Sequence, residues 1–328
     1  MIKMIHEKYF VWEEGEYTYP AAYGFAPFLM SYLHDDEEDR PCVIICPGGG
    51  YRLVSPTEGE LVAKAFYAEG FQCFVFTYTC NLLGLSPLKD QPLRDLSRAV
   101  RHVRKNAQKY HVIPDKLAVC GFSAAGHLCA NLAVHFADAA ENNPAYAGIS
   151  SRPEAVILSY PVITSGPFAH RDSFTALLGE NASEEELHYV SLETQVTEDT
   201  PPCFLWQTVT DELVPVENSL LMAAALKEKG IPFALHLFTD GRHGLSVATD
   251  EWAQGQLGEP YVMEQTFKLT GAAKDGSLSL PQEVRDQLLA VFGNENGRIE
   301  IPDDMKPKAN PEAAHWPALA SAWLRKML

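Results

Sequence analysis

At 328 residues and 46% hydrophobic content the chain can bury a large core, and its length fits one big domain or two ordinary ones. Lys and Arg number 26 against 43 Asp and Glu, a formal charge of −17. Such a surface repels phosphate backbones and anionic lipid, which argues against nucleic acid or a membrane surface as partner. The stretch MIKMIHEKYFVWEEG has no apolar core of a secretory signal, and no apolar run approaches the roughly 20 residues of a membrane span. A cytoplasmic location is the expectation.

In chain order, the first 40 residues read as antiparallel edge strands: YGFAPFLMSYL, then the acidic turn HDDEED. PCVIICP (41–47) is a short, fully apolar strand. SPTEGELVAKAFYAEG (55–70) starts a helix, with Ser55 at N-cap, Pro56 at N1 and Glu58 at N3 of a capping box. Gly70 fits its C-terminal cap. FQCFVFTYT (71–79) is the next buried strand. Leu93, Leu96, Val100, Val103, Ala107 and Tyr110 then recur at helical spacing as one buried stripe. KLAVC (116–120) is a third strand, and SAAGHLCANLAVHF its helix. EAVILSYPV (154–162), PCFLWQTV (202–209) and FALHLF (233–238) are three more strands; the helix between the last two closes at Gly230.

Strands apolar on both faces, alternating with amphipathic helices, predict an α/β fold: a mostly parallel sheet covered by helices on both sides. Residues 251–308 are too long for an ordinary connection. They read as an insertion, lid or oligomer contact, holding a helix PQEVRDQLLAVFG and a short strand GRIEIP. A final helix over 310–328 closes what is otherwise a single domain spanning 1–328. Seven cysteines are scattered through apolar runs; Cys42 and Cys46, on one strand, would lie roughly 13 Å apart, too far to bridge. They read as reduced core residues, and no CxxC or HExxH motif suggests a metal.

In a parallel sheet chemistry collects at the carboxyl ends of the strands. Ser123 lies at such an end, inside CGFSAAGHL, flanked at −2 and +2 by Gly121 and Ala125. A nucleophile on a sharp strand-to-helix turn needs small neighbours there, and the helix N-terminus favours developing negative charge. His127–Leu128 stands where a phosphate loop needs Lys-Ser/Thr, and GGGYRL (48–53) lacks the third glycine of a dinucleotide fingerprint. Without partners, Ser123 is equally well a plain helix cap.

A serine nucleophile needs a base, an orienting acid and an oxyanion site, in the chain order Ser, Asp or Glu, His for this fold class. TDELVP places Asp211 beyond one strand and TDGRHGLS places His243 beyond the next. Glu212 and Asp240 are rival acids; Asp211 is favoured by its loop position. His127 reads as a packing or structural histidine and His236 as a strand-face residue. Oxyanion donors are expected at the Ala124 N–H and at Gly49 or Gly50 in CPGGGYR, where glycine lets backbone approach a ligand. Tyr51 reads equally as lining for an acyl pocket or as packing against the first helix.

CPGGGYRLVSPTEGE, PLRDLSRAVRHVRKNA and CGFSAAGHL resemble the α/β-hydrolase superfamily, and within it the acetylxylan-esterase-like and feruloyl-esterase-like branch of bacterial carbohydrate esterases. The resemblance covers about residues 25 to 250 and the last helix. Two positions depart from it: Pro47 stands where many relatives carry His before the glycines, and Ala125 turns GxSxG into GxSxA. The resemblance implies a small-molecule ester substrate, with acetyl or another short acyl group on a sugar or xylo-oligosaccharide alcohol. The chemistry requires no metal or cofactor. A homo-oligomer is possible. A serine peptidase or amidase with the same three residues, and a noncatalytic hydrolase-fold binding protein, are the alternatives.

Overall fold

The computed structural model describes residues 4–139, 141–293 and 307–328. Among these, nine strands form one sheet: β1 (Met4–Ile5), β2 (Lys8–Phe10), β3 (Phe28–His34), β4 (Arg40–Cys46), β5 (Gln72–Thr77), β6 (Val112–Phe122), β7 (Ala155–Ser159), β8 (Cys203–Thr208) and β9 (Phe233–Phe238). Their order is β1-β3-β5-β4-β6-β7-β8-β9, with β2 also pairing β3. From β5 to β9 every pairing is parallel; β1, β2 and β5 pair β3 antiparallel. This is the α/β-hydrolase fold expected from the sequence, antiparallel edge included. The buried apolar strands explain it: β4, β5 and β7 carry no exposed residue, so both faces must be covered.

The chain leaves β4 for β5 on one side, then crosses back past β4 to β6 on the other. Right-handed crossovers therefore put the intervening helices, α1 (Glu60–Ala68) and α2 (Gln91–Lys105), on opposite faces. A short α3 (Ala107–Tyr110) follows α2, so the expected stripe is broken at Asn106 although all six of its residues are buried. The helix α4 (Ala124–His135) packs beside α2. Next come α5 (Arg171–Leu178), α6 (Glu184–Tyr189) and α7 (Glu217–Glu228). Gly70 and Gly230 close α1 and α7 at φ +88° and +70°, the left-handed caps expected.

The capping box expected over Ser55–Glu58 does not form. Residues Pro56–Glu58 make a 3-10 turn, Ser55 Oγ pairs with Thr57 Oγ1 at 2.8 Å, and α1 begins only at Glu60. Glu58 turns inward to 4% exposure because a better pair of donors waits there.

The 251–308 region carries α8 (Asp250–Ala253), α9 (Glu264–Asp275) and α10 (Gln282–Phe292), the last matching the expected helix. GRIEIP falls outside the described residues. α9 and α10 bury Leu269, Ala273 and Leu288 with Leu83. Gln265 bonds both the Cys80 N–H (2.8 Å) and carbonyl (3.0 Å), and Tyr261 meets the Tyr32 hydroxyl at 2.8 Å. These helices thus lean on the antiparallel side of the sheet. The final helix, α11 (Trp316–Met327), packs against α1, β7 and β8. All seven cysteines are buried and free. Among the described residues no helix is long and apolar enough to cross a membrane.

Candidate active site

Strand register brings the first two pieces together. Cys46 of β4 sits opposite Gly121 of β6, so Gly48 and Ser123, each two residues further on, emerge side by side. A Cβ on Gly48 would stand 3.0 Å from the Ser123 Cβ and 2.6 Å from the Phe122 carbonyl oxygen, so only glycine fits.

Ser123 occupies φ +52°, ψ −120°, a conformation that residues with a Cβ rarely adopt. The surroundings over-determine it. Its N–H donates to the Ser159 carbonyl at 3.0 Å, and its own carbonyl accepts from Val162 at 3.0 Å and His127 at 3.2 Å. Small neighbours are obligatory for the turn: a Cβ on Gly121 would lie 2.1 Å from the Ala125 carbonyl oxygen, and one on Gly126 would lie 2.6 Å from the Pro161 Cβ. Ser123 is therefore more than a helix cap, since its side chain caps nothing.

The Ser123 hydroxyl and His243 Nε2 are 2.8 Å apart, and His243 Nδ1 is 2.8 Å from Asp211 Oδ2. The second Asp211 oxygen accepts the Leu213 and Val214 N–H groups at 3.0 and 2.9 Å, which fixes the carboxylate in its loop. The Asp211 side chain is 1% exposed and the His243 side chain 10%. Of the rival acids, Glu212 accepts the His243 backbone N–H at 3.2 Å and pairs with Arg242, half-exposed. Asp240 is exposed and, among the described residues, contributes only its carbonyl, to Asn310 Nδ2. The structure thus joins Ser123, His243 and Asp211, three residues separated by up to 120 positions.

The carbonyls of the glycine loop are taken up within the loop itself. The Gly48 carbonyl accepts from Ser55, and the Gly49 carbonyl accepts from Arg52 and Leu53. In a trans peptide the N–H points opposite the carbonyl. The Gly49 and Gly50 N–H groups therefore face away from the loop interior. Among the described residues neither they nor the Ala124 N–H donate to a protein acceptor. Gly49 sits at φ +122° and Gly50 at φ +64°, and a Cβ on Gly49 would lie 2.2 Å from the Leu53 carbonyl oxygen.

The Tyr51 side chain turns inward. It is 1% exposed, and its hydroxyl donates to His127 Nδ1 at 2.9 Å, while His127 Nε2 donates to the Val190 carbonyl at 2.9 Å. The pull inward is the buried imidazole, whose Nδ1 would otherwise lack a partner. Burial lowers the His127 pKa to about 4, so the ring is neutral. His236 stacks on Phe204 in the strand face, as expected.

Two further residues, Tyr160 and Glu58, stand near the site without a local sequence signal for a specific role there. Tyr160, just past β7 at φ +37°, sets its ring edge-on to His243 with centroids 5.0 Å apart. Its hydroxyl donates to the buried Glu58 carboxylate at 2.6 Å. The available signal was the position of Tyr160 at a strand's carboxyl end. Nothing in the sequence paired it with Glu58. Among the described residues no cluster of His, Cys, Asp or Glu is placed to hold a metal ion.

Comparison with known proteins follows the same lines. The BD-FAE family model matches residues 31–226. The chain is 55% identical over 258 residues to endo-1,4-beta-xylanase B of Butyrivibrio fibrisolvens, covering 79% of this chain and 41% of that protein. It is 27% identical over 229 residues to an acetylxylan esterase of Xylanibacter ruminicola, covering 67% and 44%. The crystal structure of an acetyl ester-xyloside bifunctional hydrolase from Caldicellulosiruptor lactoaceticus superposes with a TM-score of 0.69 at 36% identity, covering 84% of this chain and 97% of that one. The chain spans less than half the length of the curated relatives it matches. With the fold, the matched span and these similarities together, the chain belongs to the BD-FAE family and has an esterase-like α/β-hydrolase fold.

Proposed function

We propose that the protein is a serine carboxylic-ester hydrolase working through an acyl-serine intermediate. The observation that carries this is the unbroken run Asp211 Oδ2, His243, Ser123 Oγ at 2.8 Å per link. In this reading Ser123 attacks the ester carbonyl while His243 Nε2 takes its proton and returns it to the departing alcohol. Asp211 accepts from Nδ1–H, holding the imidazole in the tautomer that leaves Nε2 free to accept, and stabilises the imidazolium. Ala124 and either Gly49 or Gly50 supply N–H donors to the tetrahedral oxyanion, each worth roughly 3 kcal/mol. Water, activated by the same histidine, then frees the acid. Apart from that water and the ester, the proposed steps use only side chains and backbone N–H groups of this chain.

The substrate proposed is a short acyl ester, acetyl first, of a sugar or xylo-oligosaccharide alcohol. The support is similarity: two relatives are named for acetyl-ester or acetylxylan hydrolysis and a third for xylanase activity. The formal charge of −17 favours a neutral substrate over an anionic one.

The test is a p-nitrophenyl ester series of rising acyl length, run beside acetylated xylo-oligosaccharides and an aminoacyl p-nitroanilide, on wild type and Ser123→Ala. The proposal expects acetate release from the oligosaccharides, falling rates with longer acyl groups, and a loss of about 10⁴ or more in kcat for Ser123→Ala. Faster cleavage of the anilide than of any ester points to a peptidase. Equal activity in the Ser123→Ala protein removes the nucleophile assignment.

A further inference from the structure

Three segments converge on Glu58. Its Oε2 accepts the Gly48 N–H at 2.7 Å and its Oε1 accepts the Tyr160 hydroxyl at 2.6 Å. The Tyr160 hydroxyl in turn accepts the Ser246 N–H at 3.0 Å. Ser246 Oγ donates back to the carbonyl of Thr57, the neighbour of Glu58. One buried carboxylate thus links the head of the glycine loop to the loop that carries His243.

The histidine loop needs such a tie. Gly241, Gly244, Ser246 and Ala248 lie at φ +146°, +80°, +50° and +54°, and two of them bear a Cβ that disfavours this region. A strained loop keeps its shape only where outside contacts impose it. Ser246 is held on its N–H by Tyr160 and on its carbonyl by Trp316 Nε1 at 2.7 Å. Burial pushes the Glu58 carboxyl above its ordinary range, against the pull of its two hydrogen bonds and the nearby His243. A buried acid kept at that cost, touching no reacting atom, is poorly explained as general packing.

We propose that Glu58 is a positioning residue of the hydrolytic site, its carboxylate setting the distance between the glycine-loop N–H donors and the His243 imidazole. The inference rests on the ester-hydrolase reading and deepens it. The transition state needs the oxyanion donors and the base in register at once, whereas the bound ester does not. Loosening the frame therefore lowers kcat and leaves KM nearly unchanged.

The test uses the full chain with p-nitrophenyl acetate. Glu58→Gln keeps an oxygen for the Gly48 N–H but presents an amide N–H to the Tyr160 hydroxyl, whose proton loses its acceptor. Tyr160→Phe removes the hydroxyl and leaves the Ser246 N–H unpaired. Each is expected to lower kcat roughly 10- to 100-fold with KM within about threefold, and the double variant to be no slower than the worse single one, since all three break one linkage. A folded variant with kcat within about twofold of wild type, a loss confined to KM, or multiplying losses in the double variant overturns the proposal. If Glu58→Gln does not fold, Tyr160→Phe decides by the same kcat criterion. Ser123→Ala, assayed in parallel, separates the two levels: if it stays active, the ester-hydrolase reading itself has failed, whatever position 58 does.

Discussion

Gly121 and Ala125 meet backbone to backbone beneath Ser123: a Cβ on Gly121 would sit 2.1 Å from the Ala125 carbonyl oxygen. The contact is with backbone, so nothing can rotate aside. Gly121→Ala is expected to cost about 3 kcal/mol or more and to abolish activity by distorting the turn. Ala125→Gly, which recreates the commoner GxSxG pattern, is expected to cost only about 1 kcal/mol of helix propensity and to stay active. Urea unfolding and ester hydrolysis of both variants check this. Wild-type stability in Gly121→Ala contradicts the account.

The Ser123 backbone offers a second prediction. At φ +52°, ψ −120° a residue with a Cβ is strained by about 1–3 kcal/mol, and glycine is not. Ser123→Gly and Ser123→Ala both lack the hydroxyl, so both are expected to be inactive. Ser123→Gly should nonetheless unfold at the higher temperature of the two, which differential scanning calorimetry reads directly. The reverse order means that the turn is not strained.

Asp211 and Glu212 are adjacent carboxylates with different tasks. Asp211→Asn would leave the loop in place but present an N–H to His243 Nδ1, favouring the wrong tautomer; a fall of about 10⁴ in kcat is expected. Glu212 accepts only a backbone N–H and pairs with Arg242, half-exposed, so Glu212→Gln is expected to cost under tenfold. Steady-state kinetics on the two variants separate the roles. Comparable losses in both would reopen the choice of acid.

His127 sets a pH dependence of stability. Burial lowers its pKa from 6.5 in the unfolded chain to about 4 in the fold. Between those values the unfolded chain binds a proton that the folded chain refuses, so this residue's contribution is present above pH 6.5 and is lost as pH falls toward 4. Urea midpoints from pH 7 to 4 should therefore fall less steeply in His127→Gln than in wild type, by the slope of one proton. Parallel curves for the two proteins rule the effect out.

The elements were legible because their signals are local. A strand apolar on both faces, such as 41–47 or 71–79, has few alternatives to a parallel sheet, and the order Ser, Asp, His follows from which loops leave the carboxyl ends. Asp211 could be favoured over Glu212 and Asp240 by loop position alone, and in the structure it is the carboxylate on His243 Nδ1. Where local rules competed with distant partners, they lost. Ser55–Glu58 has the spelling of a capping box, yet Glu58 bonds Gly48 and Tyr160, the latter 102 positions away. Tyr51 follows the glycine loop but turns inward to an imidazole 76 positions away.

Periodicity, turn chemistry and strand polarity act over a few residues, so the order of amino acids alone determined the layered fold, the serine turn and the two loops facing it. Which buried polar groups find each other depends on strand order and register, as when Cys46 lines up with Gly121 and sets Gly48 beside Ser123. That pairing exists only once the sheet has assembled. A buried donor or acceptor takes whichever partner the finished packing leaves within reach, and so the frame around Glu58 was decided by the tertiary structure.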